Sequence, residues 1–460
     1  MRTLAATVRT PREIAERALE LAGADMQVTV VRERSLLSRF ARSAPTQATE
    51  VDDTSVEVLA VRDGQTAAAT TNRLDDDALR ATARAAELAA LASARAGQGP
   101  YPGLAEPAAV RDHAGFDPET ALLDPARAAA ALREAFAVAD EHGLEAFGAW
   151  TVGAVRTAIA ATTGLALEDE VTDAFMKVVC RDAGGRSGYA AGTATSAAAI
   201  GATALARRAA GKVTAEPPAE LAPGPYQVVL EPEAVGVLLE FLGALALNGL
   251  AHAEDRGALS GRLGTAVAAP TINLADSPRF PRTLPRAFDF EGVPKAPIPL
   301  LQDGVAAAVV HDRRSAAVAG GGARTTGHAT APGGSPWGPA PTNLVLTGGG
   351  ARDLEELAAP IERGIYVTRL WYVNTVREKE TLLTGMTRDG TFLIEDGKVS
   401  RPLRDVRFTD SVLRLLAATE ALTSWQRLVT EGEFYGRRFA HGVVCPALRA
   451  GGFRVTGATE

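Results

Sequence analysis

The sequence predicts an α+β protein: an N-terminal α/β half with mixed sheets and helices, then a C-terminal β-rich, barrel-like domain built around a buried central helix. Three observations carry this. Helical periodicity and strand-like alternation trade places up to Ala210. Four prolines fall within Glu216–Pro225, the densest break in the chain. Beyond it, short strands and glycine turns surround one long apolar run, Pro232–Leu247. The expected domains are 1–220 and 221–460, with a sub-boundary in the Gly/Pro-rich stretch at 97–115.

The elements follow in order. Ile14, Ala18 and Leu21 share a face of a helix spanning Thr10–Gly23. Met26–Arg32 alternates as a strand, and Ser35–Ala41 extends it. Val56–Val61 and Thr66–Thr71 form a hairpin about Asp63-Gly64. Asp75–Ala96 is a helix, with aspartates at its start and a stripe of Leu79, Ala83, Ala86, Leu88 and Leu91. Asp124 caps a helix over Pro125–His142. Strands are expected at 146–152, 156–162, 165–171, 174–181 and 188–194, then an alanine-rich helix at 195–210.

Gln227–Leu230 reads as a strand leading into a helix opened by Pro232, where a missing N–H costs nothing. Glu231 and Glu233 suit the positive end of that helix. Apolar residues cover nearly every face from Val235 on, so the helix should be buried. Short strands follow at 270–273, 288–290, 298–302 and 306–312. Ala319–Pro341 is a long glycine-rich loop of the kind that usually carries function or moves. After a strand at 342–347, Asp353 and Glu356 open a helix. A meander over 365–375, 380–388, 391–395 and 398–402 turns at Asp389-Gly390 and Asp396-Gly397. A helix at 411–421 and a strand at 447–456 complete the chain.

The chain has 460 residues, 46% apolar and 22% charged, with a net charge of −7 and no dense basic block. Nucleic acid and anionic membrane surfaces are therefore not expected partners. No segment reaches the roughly 18 unbroken apolar residues of a membrane span. The two cysteines, Cys180 and Cys445, are far apart, which fits a reducing cytoplasm.

No two of the six histidines lie within five positions, so no single helix offers a zinc pair. A site assembled from His328, His441 and Cys445 is the remaining metal alternative, although Cys445 sits in an apolar run that suits burial. There is no G-x-S-x-G, and Gly348-Gly349-Gly350 lacks the pattern of a phosphate cradle. Thr326 and His328, in the flexible hydroxyl-rich loop, are balanced between peptide binding and a surface role. Tyr372 and Asn374 belong to an alternating strand that lines either a groove or an ordinary two-faced sheet.

The runs T-T-G-H-A-T-A-P (325–332), G-P-A-P-T-N-L-V-L (338–346), E-R-G-I-Y-V-T-R-L-W-Y (362–372) and L-T-G-M-T-R-D-G-T-F-L-I-E-D-G-K-V-S-R-P (383–402) resemble the C-terminal domain of the TldD/PmbA family of peptidase subunits. S-R-F-A-R-S (38–43) is similar to that family's N-terminal R-F-A-N-N segment. The resemblance implies a heterodimer in which a TldD-type subunit carries an H-E-x-x-x-H zinc helix completed by a C-terminal cysteine. Laid on V-V-L, Pro232 and G-V-L-L, the histidines fall on Glu240 and Leu245 and the glutamate on Phe241. A second register, matching Glu233–Gly236, puts the histidines on Pro232 and Val237. Both registers lack the ligands, and Cys445 lies in the family's final strand, later than the zinc cysteine.

The resemblance thus implies a cytoplasmic, zinc-less TldE/PmbA-type subunit. No cofactor is expected in this chain, and zinc is expected in a TldD-type partner that cleaves unfolded peptides or peptide-natural-product precursors. Thr326, His328, Tyr372 and Asn374 are the candidate peptide-binding or chamber-lining residues. The alternatives are a homodimeric peptide-binding protein and a self-sufficient peptidase with an unrecognised site.

Overall fold

The computed structural model describes residues 9–96, 101–430 and 437–458. Its first part comprises α1 (Pro11–Glu20), β1 (Met26–Ala41), β2 (Ala44–Arg62), β3 (Gln65–Thr71), α2 (Asp76–Ala96), α3 (Pro125–Glu141), β4 (Glu145–Ala161), β5 (Ala166–Arg181), β6 (Ser187–Ala194) and α4 (Ala202–Ala210). The strands form one sheet in the order β3-β2-β1-β4-β5-β6. Every pairing in it is antiparallel. The segments read as separate strands at 146–152 and 156–162 are one continuous β4, and β5 joins two others in the same way. Val155 and Thr172 keep the ladder unbroken where the apolar alternation falters.

Alternation then decides what each face of this sheet touches. Even-numbered residues face the helices. Met26, Val28, Val30 and Ala158 pack under α1 and α2, and Trp150, Met176 and Cys180 under α3 and α4. Odd-numbered residues Leu59, Ile159, Val31, Val155 and Val171 pack against Phe288 and Phe290 from much later in the chain. Thr10 and Glu13 close a reciprocal capping box on α1, and Asp124 caps α3. On α2 the buried stripe is Leu79, Ala83, Ala86 and Ala90, while Leu88 and Leu91 face outward, contrary to the sequence expectation.

The remainder comprises β7 (Gly224–Leu230), α5 (Pro232–Leu245), α6 (Gly249–Ala253), β8 (Leu274–Asp276), β9 (Ile298–Gln302), β10 (Val305–Ala306), α7 (Arg313–Ala319), β11 (Asn343–Leu346), α8 (Leu354–Ala358), β12 (Arg363–Arg377), β13 (Leu382–Glu395), β14 (Lys398–Pro402), β15 (Val406–Ser411), α9 (Val412–Ala417), β16 (Thr419–Leu422), β17 (Arg427–Val429), β18 (Gly442–Cys445) and β19 (Leu448–Ala458). One sheet runs β10-β9-β8-β11-β18-β17. The other runs β12-β7-β19-β15-β13-β14, and β13 also pairs back to β12, so its pairings complete a circuit. The parallel pairs lie here, in β7–β12 and β11–β18.

Helix α5 lies between these two sheets. Val235, Leu238, Leu239 and Leu242 join a core with Leu230, Ile365 and Val367 on one side and Leu344, Val443 and Cys445 on the other. Each such burial contributes about 1.5–3 kcal/mol, which outweighs the roughly 1 kcal/mol that Gly236 and Gly243 each cost the helix. The less buried positions Val237, Glu240, Phe241 and Ala244 recur at helical spacing and define one stripe.

Several sequence boundaries shift. The expected turn at Asp389-Gly390 is an irregularity inside β13, with both residues at positive φ (54° and 122°). The expected strand at 306–312 gives way to α7, whose N-cap Asp312 accepts from Ser315 N. The helix read at 411–421 stops at Ala417, because β16 is recruited to β19. The alanine-rich helix begins only at Ala202.

Candidate functional site

The N-terminus of α5 is a buried ionic cluster. Glu231 is the N-cap, but its carboxylate does not cap the helix. Lys212, just beyond α4, places Nζ 2.5 Å from Glu231 Oε1. Tyr366 donates its hydroxyl to the same oxygen at 2.5 Å, and Thr368 donates at 3.2 Å. Arg208, on α4, donates to Glu233 Oε1 at 2.8 Å. Arg427 on β17 lies 3.7 Å from Glu231 and 3.6 Å from Glu233. Burial works against the charged Glu231, but Lys212, Tyr366 and Arg208 outweigh it and lower its pKa. Burial first, and then the Glu231 charge, push the Tyr366 hydroxyl well above its ordinary range. This cluster ties α4 to α5, and it leaves Val237 and Glu240 of the α5 stripe facing a groove.

The groove runs between the β5–β6 end of the first sheet and the β12–β13 strands. Beside α5 it is narrow, about 20 Å³, and is lined by Lys177, Tyr189, Glu233, Val237, Glu240 and Arg369. That is room for about one water. Past Arg369 it widens to about 490 Å³ among Phe147, Arg181, Trp371, Met386, Arg388 and Asp405. A further recess of about 250 Å³ continues past Asp389 to Lys212 and Pro218. Arg369 is fixed at the junction. Its Nε donates to Asp389 Oδ2 at 2.9 Å, and its guanidinium stacks 4.3 Å from the Tyr189 ring centre and 4.9 Å from that of Trp371. Ser187 donates to the other Asp389 oxygen at 2.6 Å. Burial, with the Asp389 charge adding to it, raises the Asp405 carboxyl to about 6.

A second polar cluster lies under the glycine-rich loop. His328 Nε2 is 3.2 Å from Asp276 Oδ1 but misaligned for a hydrogen bond, and Lys295 Nζ is 3.6 Å from the same oxygen. Asn343 N donates to Asp276 Oδ2 at 2.7 Å. Burial opposes the Asp276 charge, yet Lys295 and His328 hold its pKa below the usual range. Burial, reinforced by Lys295, lowers the His328 pKa. Arg286 is buried against the Phe439 ring at 4.0 Å. The space here is about 20 Å³, so in this conformation the cluster holds the loop rather than a substrate.

The sequence candidates therefore separate. Glu240 lines the groove from a half-buried position. Phe241 packs partly buried against the core, and Leu245 is inside it. Thr326 and His328 contact each other at 2.9 Å beneath the loop. Tyr372 and Asn374 point outward on β12, with Tyr372 75% exposed. Their neighbours Arg369 and Trp371 line the groove instead. Sequence reasoning missed Lys212 and Arg208, which no local pattern marks, and did not single out Arg369 and Arg388 within the family-like runs 362–372 and 383–402. The Glu231–Glu233 pair was visible but read only against the helix dipole. Cys445 donates its thiol to Pro232 O at 3.3 Å, deep in the core. His441 lies instead against Phe439 O, at 3.0 Å. Among the described residues no group of three or more His, Cys, Asp or Glu side chains is placed to hold a metal ion.

The architecture defines a class, the TldE-like fold of metallopeptidase relatives. The structure of TldE from Thermococcus kodakarensis matches with a TM-score of 0.83 at 19% identity, over 96% of this chain and 99% of that one. The family description "PmbA/TldA metallopeptidase C-terminal domain" matches residues 223–457, and the corresponding domain 1 matches 27–90. This chain belongs to the TldD/PmbA family. A protein named "Metalloprotease" from Methanothermobacter thermautotrophicus is 27% identical over 208 residues, 45% of this chain and 44% of that relative. The match thus spans less than half of that relative's length. Among the described residues no helix is long and apolar enough to cross a membrane.

Proposed function

We propose that this chain is the non-catalytic, TldE/PmbA-type subunit of a cytoplasmic heterodimer, whose TldD-type partner is a zinc peptidase acting on unfolded peptides or peptide-natural-product precursors. The observation that carries the reading is α5. It contains no histidine, and in the register of the resemblance that matches V-V-L, Pro232 and G-V-L-L, Glu240, Phe241 and Leu245 stand where the family's zinc helix has two histidines and a glutamate. Phe241 has no proton to take or give, so it cannot serve as the general base that a zinc-bound water requires. The ionic cluster at Glu231 and Glu233 instead makes α5 a rigid wall. In this reading the chain closes and shapes the chamber in which the partner cuts.

The test is co-expression with a TldD-type partner, followed by metal analysis and peptide cleavage for each chain alone and for the pair. A stable pair is expected, with zinc and cleavage residing in the partner and cleavage greatest in the pair. Stoichiometric zinc and peptidase activity in this chain alone would overturn the proposal.

A further inference from the structure

We infer that the wide part of the groove is a binding site for an acidic peptide segment, held by Arg181 and Arg388 with an apolar side chain set among Phe147, Val179 and Met386. This rests on the reading of the chain as a peptide-handling subunit, but concerns a different region from the α5 motif. The argument begins with size. The space of about 490 Å³ lies within the range of ligand pockets, unlike the two recesses of about 20 Å³.

Charge comes next. Three arginines line it, and they differ in availability. Arg369 is consumed by Asp389 and by stacking on Tyr189 and Trp371. Arg181, at the end of β5, and Arg388, on β13, are exposed and make no ion pair among the described residues. They come from different sheets, so one carboxylate-bearing ligand would bridge both walls. Arg388 also lies 5.5 Å from the Trp371 ring centre, which positions its guanidinium over an aromatic surface.

The floor explains selectivity. Of the two carboxylates in the lining, Asp389 is satisfied by Arg369 and Ser187, and Asp405 is largely buried, accepts from Thr391 at 3.0 Å and lies in the field of Arg388 and Arg369, so three arginines outweigh them. Phe147, Val179 and Met386 give apolar surface beside the arginines. Guanidinium groups pair bidentately with carboxylates, and an aromatic ring with a thioether accepts varied apolar side chains. Such a site favours acidic-apolar sequences over basic ones without demanding one sequence.

The test uses the full chain and two fluorescein-labelled heptapeptides of alternating phenylalanine with either glutamate or lysine, read by fluorescence anisotropy. The acidic peptide should bind more tightly, and binding should weaken with salt as exposed charges are screened. Arg181→Glu combined with Arg388→Glu should weaken it at least about fivefold, since each exposed pair is worth little alone. Arg84→Glu, on the outer face of α2, should leave it unchanged, and circular dichroism should show both variants folded. Equal binding of the two peptides, no effect of the double variant, or no binding of the acidic peptide would overturn the inference. The two proposals fail separately. A chain that stimulates a TldD-type partner yet shows no charge preference loses only this inference. A chain that prefers the acidic peptide but neither binds nor stimulates a partner loses only the subunit assignment.

Discussion

At the residue scale the decisive feature is how α5 handles its carboxylates. Glu231 is almost wholly buried, and it keeps its charge because Lys212, Tyr366 and Thr368 converge on it. Replacing one partner of such a pair leaves an uncompensated buried charge, which is costlier than the pair was favourable. Lys212→Met should therefore destabilise the chain by about 3 kcal/mol in urea unfolding. A loss no larger than that of an exposed lysine would show that Arg208 and Arg427 carry the charge balance alone. Asp405 makes the opposite case. Burial raises its folded-state pKa to about 6, against 3.8 ordinarily. Below about pH 4 it is neutral in both states, and as the pH rises through about 6 the folded chain must carry a buried charge, so stability is lost. Asp405→Asn should stabilise the chain at pH 7.5 by on the order of 1 kcal/mol, with the gain vanishing near pH 4. Thermal melts across that range would check both the sign and the window.

At the element scale, α5 is held by packing against both of its neighbouring sheets. A Cβ placed on Gly236 would meet Val429 Cγ1 at 2.7 Å and Val429 Cβ at 2.9 Å. Alanine would add up to about 1 kcal/mol of helix propensity, while overpacking costs about 1–3 kcal/mol. Gly236→Ala should therefore be net destabilising, and Gly236→Ala with Val429→Ala should recover stability. Denaturant unfolding of the pair as a double-mutant cycle measures this coupling directly. At this scale the sequence was informative. Pro232, the apolar run and the glycine turns placed α5, β7, β9, β12 and β14 near where they form. It failed where pairing overrides local pattern: Asp389-Gly390 looks like a hairpin turn, but β12 holds both sides of it in one strand.

At the scale of the whole molecule, the sheets are joined by contacts far apart in sequence. Arg438 reaches Asp173 on β5 with Nε–Oδ1 at 2.8 Å, and Thr151 on β4 at 3.1 Å, all buried. Tyr101 donates to Glu291 at 2.8 Å, and Phe288 and Phe290 fill the odd-numbered face of the first sheet. These links predict that the chain unfolds as one unit. Calorimetry should show a single transition, and Arg438→Met should lower its midpoint without splitting it. Two separated transitions in the unaltered chain would show that the sheets melt independently. The same junction forms the groove, so the candidate site is a property of how the sheets meet.

The sequence by itself determined that α5 exists, that it is apolar, and that it lacks the residues a zinc helix needs. Those are local facts, written in periodicity, in one proline and in side-chain identity. Tertiary structure decided which carboxylates are paired, that Tyr372 points away while Trp371 faces the groove, and that Arg181 and Arg388 flank one cleft. The physical reason is distance along the chain: Glu231 and Tyr366 meet across 135 positions. No periodicity encodes such a meeting, because the pairing of β7 with β12, and not any local preference, brings the two side chains together.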